Sequence, residues 1–219
     1  MNNLLSGIDH VVFDLDGTLV ESHRTIHKAT LEAFKELGIK GDLPEVEFYK
    51  MIGFHFEDIF NAFNVEVPYF DKFINVYKSL YFDFIDQSTL YDGVEATLSK
   101  LKEKNFTVSL LTTKGQDQAD KIVEHFHLEK YFDYIMGRRN GVAHKPSPEP
   151  LLLICEKLKI RPAKTVMVGD SELDIICGRE AGSKTCGVSY GYRSREVLEK
   201  EKPDFILDAL MEITGNPRR

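Results

Sequence analysis

Cysteine is scarce in this chain, and the few present form no redox or metal-binding pattern. Cys155, Cys177 and Cys186 are odd in number and have no C-x-x-C spacing. This argues against a disulfide framework and for reduced, buried thiols in a cytoplasmic protein. None lies at an expected strand end beside a paired histidine, so a cysteine nucleophile is not expected. A basic balance is also missing. Lys and Arg number 28 against 35 Asp and Glu, a formal charge of −7, whereas nucleic acid and anionic membranes both call for a basic face. No apolar run approaches the roughly 20 residues that span a bilayer. The polar opening M-N-N-L-L-S-G lacks the pattern of a signal peptide. Repeats, low-complexity tracts and obvious linkers are absent too. What remains is a globular balance, 42% hydrophobic and 29% charged over 219 residues. That suits one domain, or a domain carrying a smaller insertion.

The most informative stretch is Val11–Leu19, V-V-F-D-L-D-G-T-L. Val11, Val12 and Phe13 read as a short strand buried on both faces. It delivers Asp14 at its carboxyl end and Asp16 two positions later, and Gly17 lets the backbone turn there. An acidic pair at this point can be an ordinary strand-to-loop transition, so the reading depends on the rest of the chain.

Residues 20–88 read as a helical insertion of about four helices. Ile26, Ala29, Ala33, Phe34 and Leu37 mark the first, with Ser22 or Thr25 as its cap and Gly38 as its stop. Later stripes include Phe56, Ile59, Phe60 and Phe63, then Phe70, Phe73, Ile74 and Tyr77. Aromatics at helical spacing are expected to be core. From Asp92, expected as a helix cap, strands and helices alternate. Strands are expected at Phe106–Leu111 (ending at Thr112 and Thr113), Tyr134–Met136, Thr165–Val168, Lys184–Val188 and Asp204–Leu207. Helices lie between them, one opened by Ser147 and Pro148, and a short helix closes the chain. The alternation predicts an α/β protein: a Rossmann-like parallel sheet with helices on both faces, plus a small α-helical cap inserted after the first strand. The expected division is 1–19 and 89–219 for the catalytic core, and 20–88 for the cap.

Ligands of such sheets bind outside the carboxyl ends of the strands. Those ends offer Asp14, Asp16, Thr112, Thr113 and Asp170, with Lys145 from the loop before the Ser147 helix. Asp170 and Asp174, four apart across a helix start, are expected to share a face. Carboxylates converging on one pocket repel unless a cation joins them, and oxygen donors select a hard one such as Mg²⁺. Lys145 and the threonine hydroxyls suit a phosphate group instead. A carboxylate nucleophile, a carboxylate acid, a metal and a phosphate cradle describe phosphoryl transfer through an aspartyl phosphate.

D-L-D-G-T, the strand-ending Thr112, Lys145 in K-P-S-P and G-D-S-E-L-D resemble, in order and spacing, the four motifs of the haloacid dehalogenase (HAD) superfamily. The likeness covers essentially the whole chain. The place of the helical insert, the run K-P-S-P-E-P-L-L-L and the later G-V-S-Y-G resemble the phosphoglycolate phosphatase-like subgroup. The resemblance implies that Asp14 is the nucleophile, and that Asp16 protonates the leaving oxygen and then activates water. It implies that Thr112 and Lys145 hold phosphate oxygens. It also implies that the Asp14 and Asp170 carboxylates and the Asp16 carbonyl bind Mg²⁺, with Asp174 as a further ligand or support. Dehalogenases of the superfamily lack the second carboxylate, so Asp16 points to a phosphate ester. The expected function is a Mg²⁺-dependent phosphatase acting on a small phosphate monoester, phosphoglycolate-like, nucleotide or sugar phosphate, with pyrophosphate also open. The alternatives are a phosphomutase of the same fold or a non-catalytic phosphate-binding regulator.

The chain departs from the subgroup in places. Glu21-Ser22 stands where D-S is common, and T-T-K-G stands where T-N-K is common, which makes Glu21 and Lys114 candidates for substrate contact. Arg24, Lys50 and His55 are the further polar candidates in the insert. His23 and His27 invite comparison with a mutase, but the mutase histidine position falls on Ile26. His144 is expected to shape the loop before Lys145.

Overall fold

The computed structural model describes residues 4–215. In chain order the elements are β1 (His10–Phe13), β2 (Val20–Glu21), α1 (His23–Leu37), α2 (Glu45–Tyr49), α3 (Phe56–Ala62), α4 (Phe70–Asp83), β3 (Thr89–Leu90), α5 (Val94–Glu103), β4 (Thr107–Gly115), α6 (Gln116–His125), β5 (Tyr134–Arg138), α7 (Glu149–Leu158), β6 (Thr165–Gly169), α8 (Glu172–Glu180), β7 (Lys184–Val188), α9 (Arg195–Lys200) and β8 (Phe205–Leu207). Six strands form a parallel sheet in the order β5-β4-β1-β6-β7-β8, and β2 pairs with β3 in a separate two-stranded sheet. The architecture is the α/β class expected from the alternation.

By internal packing the chain forms two compact units. One joins the residues up to Leu19 with those from Leu90, and the other is Val20–Thr89. In the first, β1 is central and every one of its side chains is buried, which is why it reads as an unbroken apolar run. Val12 lies in register with Met167 of β6, and both pack with Leu111, Met136, Leu151, Ile154 and Cys155. His10 is buried between the Ser109 and Thr165 hydroxyls, at 2.8 and 3.2 Å. Burial lowers its pKa to about 4, so it contributes a neutral ring. Cys155, Cys177 and Cys186 are free and buried, and burial pushes the Cys177 thiol up to about 12.

The Val20–Thr89 unit contains four α-helices, and its aromatics are core. Phe34, Phe60 and Phe73 meet pairwise with ring centroids 5.0–5.7 Å apart, and Phe56 stacks on Phe60 at 5.4 Å. Ile26, Ala29, Ala33 and Phe34 form the buried stripe of α1. Gly38, in the left-handed region at φ +64°, ends that helix as expected. A 2.6 Å hydrogen bond joins Thr25 to Ser88, near the two ends of the unit.

Several local expectations need correcting. Ser22 precedes α1, but its side chain makes no capping bond. The cap of α5 is Gly93, at φ +79°, rather than Asp92. Pro148 rather than Ser147 precedes α7; Ser147 instead accepts a 3.3 Å bond from the Glu149 amide. The closing helix is a short 3₁₀ turn, Leu210–Thr214. Strand β4 does not stop at Leu111: it runs through Thr112 and Thr113 to Gly115. Its pairing to β5 shifts register between Leu111 and Gly115, and an irregularity of that kind leaves no mark in the apolar pattern. Among the described residues no helix is long and apolar enough to cross a membrane.

Candidate active site

Three strands run in register to the end of β1. Phe13 pairs with Leu110 on one side and Val168 on the other, and the Asp14 amide continues to the Val168 carbonyl at 2.9 Å. Asp14 and Asp170 therefore leave the sheet at the same edge. Asp174 joins them from α8. Each of the three offers a carboxylate oxygen, these oxygens lie within 4.8 Å of one another, and all three residues are buried. Lys145 completes the group, its ammonium donating to Asp14 Oδ1 at 2.6 Å and to Asp174 Oδ1 at 2.5 Å.

The route by which Asp170 and Asp174 meet differs from expectation. Helix α8 begins only at Glu172, so the two are not one turn apart on a common helical face. Asp174 folds back on the helix start, accepting bonds from the Ser171 hydroxyl at 2.6 Å and the Ser171 amide at 3.2 Å. This is a capping box. Asp170 is held separately, by the Thr18 hydroxyl at 3.3 Å and the Tyr192 amide at 2.7 Å.

The charges in this group do not cancel. Burial pushes the Asp14 carboxyl well above the usual range, Lys145 draws it back, and Asp174 and Asp170 push it up again. Asp170 is pushed to about 7, first by burial and then by Asp174, against the opposing Tyr192 amide. Burial works to strip Lys145 of its proton, but Asp14 and Asp174 outweigh it and hold the ammonium above its ordinary range. One ammonium among three carboxylates leaves a surplus of negative charge in a dry, oxygen-only donor set, and a bound cation offsets such a surplus. The aspartate trio fits a metal ion. Gly17 makes room for the Asp170 carboxylate: at φ +83°, any Cβ there would collide with it.

Asp16 is paired elsewhere. Its Oδ2 lies 3.1 Å from the Lys114 ammonium, and the two side chains are 10% and 8% exposed. Thr112 is buried in β4, and its hydroxyl accepts the Lys114 amide at 3.2 Å; Thr113 is half-buried beside it. Of the residues singled out in the sequence, the structure brings together Asp14, Asp170, Asp174 and Lys145, and it joins Asp16 to Lys114. The remaining candidates belong to the Val20–Thr89 unit. Glu21 is half-buried in β2, 3.8 Å from His23. Arg24 is exposed on α1, Lys50 is exposed after α2, and His55 is half-buried before α3.

Sequence reasoning missed Thr18, Ser171 and Tyr192. The S-x-x-D spacing of Ser171 and Asp174 is a readable capping signal. Tyr192 contributes a backbone N–H, which every residue but proline possesses, so nothing in its identity marks the role.

The sequence profile of the haloacid dehalogenase-like hydrolases matches residues 11–188, a span that contains Asp14, Asp16, Thr112, Lys114, Lys145, Asp170 and Asp174. The chain belongs to that family. Members resembling it over nearly its whole length include the pyrophosphatase PpaX of Bacillus pumilus, 32% identical over 209 residues and covering 95% of each chain. Among solved structures, a predicted phosphoglycolate phosphatase from Haemophilus somnus superposes with a TM-score of 0.82 at 26% identity, covering 95% of this chain and 97% of its own. A predicted phosphatase from Clostridium acetobutylicum gives 0.83 at 28%, with the same coverage. This HAD-like hydrolase is thus an enzyme whose relatives are named as phosphatases and pyrophosphatases.

Proposed function

We propose that this HAD-like hydrolase is a Mg²⁺-dependent phosphatase of a small phosphate compound, acting in the cytoplasm through an aspartyl phosphate. The observation that carries the reading is the buried Asp14, directly after β1, hydrogen-bonded to Lys145 and grouped with Asp170 and Asp174. The similarity to a pyrophosphatase and to a predicted phosphoglycolate phosphatase supports a compact, anionic substrate.

In this reading an Asp14 oxygen attacks phosphorus while the bond from phosphorus to the leaving oxygen breaks. Asp16 gives that oxygen a proton. As a carboxylate, Asp16 then takes a proton from water, whose oxygen attacks the aspartyl phosphate and releases orthophosphate, restoring Asp14. Lys145 holds the phosphoryl oxygens with Thr112, and Thr113 lies beside them. The Asp14 and Asp170 carboxylates and the Asp16 carbonyl would hold Mg²⁺, with Asp174 as a further ligand or support. The ion supplies neutralisation of phosphoryl charge. The Val20–Thr89 unit serves as the cap that selects the leaving group, with Glu21, Arg24, Lys50 and His55 as its candidate contacts.

The test is phosphate release from 2-phosphoglycolate, a sugar phosphate, a nucleotide and pyrophosphate, with Mg²⁺ and with chelator, for wild type and Asp14→Asn. Release that both chelator and substitution abolish is expected. Release that survives Asp14→Asn would overturn the aspartyl-phosphate route, and release that survives chelator would overturn the metal.

A further inference from the structure

Two lysines pair with three of the four carboxylates of this site. Lys145 serves Asp14 and Asp174, whereas Lys114 lies against Asp16 at 3.1 Å. Burying a lysine side chain to 8% exposure is costly unless an anion accompanies its ammonium, and the backbone departs from regularity at this position. The β4–β5 register shift spans Leu111 to Gly115, and the Lys114 amide turns to the Thr112 hydroxyl. Irregularities of this kind beside a site re-aim side chains. Here the re-aimed side chain is a cation directed at Asp16.

The position has a chemical meaning that rests on the phosphatase reading. Asp14 takes the phosphoryl group and Asp16 serves the departing oxygen, so the charge beside Asp16 stands at the leaving-group end. We infer that Lys114 recognises the leaving group, and that the enzyme prefers phosphate compounds whose leaving group is itself an anion. The shared chemistry is a second acidic group next to the scissile bond: the other phosphate of pyrophosphate, or the carboxylate of a 2-phosphoglycolate-like ester. Lysine suits the task, because a compact ammonium on a flexible stem can turn from Asp16 to an arriving anion. A charge-assisted hydrogen bond formed there is stronger than a neutral one.

With pyrophosphate, an Asp14 oxygen bonds to one phosphorus as the bridging P–O bond breaks. The electron pair leaves with the second phosphate, which takes the Asp16 proton, and water then frees the first. One pyrophosphate and one water give two orthophosphates. With a neutral-alcohol ester the same bonds break, but Lys114 meets no anion.

The full-length protein with Mg²⁺ is assayed on pyrophosphate, 2-phosphoglycolate and glycerol 3-phosphate, the last having a neutral leaving group. Lys114→Gln is expected to lower the kcat/KM ratio of the better anionic substrate over glycerol phosphate by roughly tenfold or more. Lys114→Arg is expected to restore most of that ratio. Should the Gln variant fail to fold, Lys114→Met keeps the apolar stem and answers the same question. Equal losses on all three substrates, or an unmoved ratio, overturn the leaving-group assignment while leaving the phosphatase reading intact. No phosphate from any substrate with the wild type overturns the phosphatase reading itself.

Discussion

The two units of this molecule bury different things. The unit built on β1 hides Asp14, Asp16, Lys145, Asp170, Asp174 and Arg193, each nine-tenths or more out of solvent. In the Val20–Thr89 unit the buried polar residues among those described are Ser22, Thr25, Thr30 and Ser88, and its interior is otherwise aliphatic and aromatic. A buried charge is expensive and persists where other groups compensate it. An aromatic cluster needs no such arrangement and stabilises a fold through area and ring geometry alone. Concentrated buried charge therefore marks the candidate active site, whereas the polar candidates of the aromatic unit are exposed (Arg24, Lys50) or half-buried (Glu21, His55).

Substitutions can test how far this contrast holds. The largest effect is expected in turnover: Asp14→Asn should cost about 10⁴-fold or more in kcat, as loss of a nucleophile does, with the circular dichroism spectrum unchanged. Next come two losses of similar size and different kind. Lys145→Met leaves Asp14 and Asp174 facing each other without their shared ammonium, and should cost about 3–5 kcal/mol at neutral pH without metal. Phe73→Ala, which opens a void in the aromatic cluster, should also cost about 3–5 kcal/mol. Urea titrations at several pH values separate them. The Lys145 loss should shrink in acid, where the carboxylates are protonated, and the Phe73 loss should not.

Asp170 provides the pH signature of the charged unit. Its carboxyl is raised from 3.8 to about 7 in the folded protein, so between those values the folded state holds a proton that the unfolded chain has released. Its contribution is thus most favourable below about pH 4, declines as pH rises toward 7, and stays unfavourable above that. Metal-free Asp170→Asn should lack this decline and be more stable than wild type at pH 8, as thermal melts would register. Mg²⁺ added to the wild type should recover part of the difference. The smallest pair compares two left-handed glycines. At Gly38 a Cβ meets nothing within 4 Å, so Gly38→Ala should cost only backbone strain, about 1 kcal/mol. Gly17→Ala adds a collision with Asp170 to the same strain. It should cost more stability than Gly38→Ala and weaken Mg²⁺ binding, measurable by calorimetry.

What was legible in the sequence follows these physical lines. The V-V-F run of β1, the helical stripe of α1 and the Gly38 stop are local patterns, governed by periodicity and backbone preference, and they appear in the structure close to where they were expected. The caps at Asp92 and Ser147 were misread because turn residues satisfy several local geometries equally well. The continuation of β4 to Gly115 was hidden because polar Thr112, Thr113 and Lys114 at the sheet edge break the apolar pattern without ending the strand.

By itself the sequence determined the alternation of elements, the parallel α/β architecture and the kinds of side chain standing at the strand ends, because each follows from residues near one another in the chain. Only the tertiary structure decided which of those side chains meet. Lys145 reaches Asp14 from 131 positions away, and Thr18 reaches Asp170 across 152. The Lys114–Asp16 pair accompanies a register shift between β4 and β5. Such contacts depend on strand order, register and local bulges. Those are properties of the assembled sheet, and no short stretch of chain contains them.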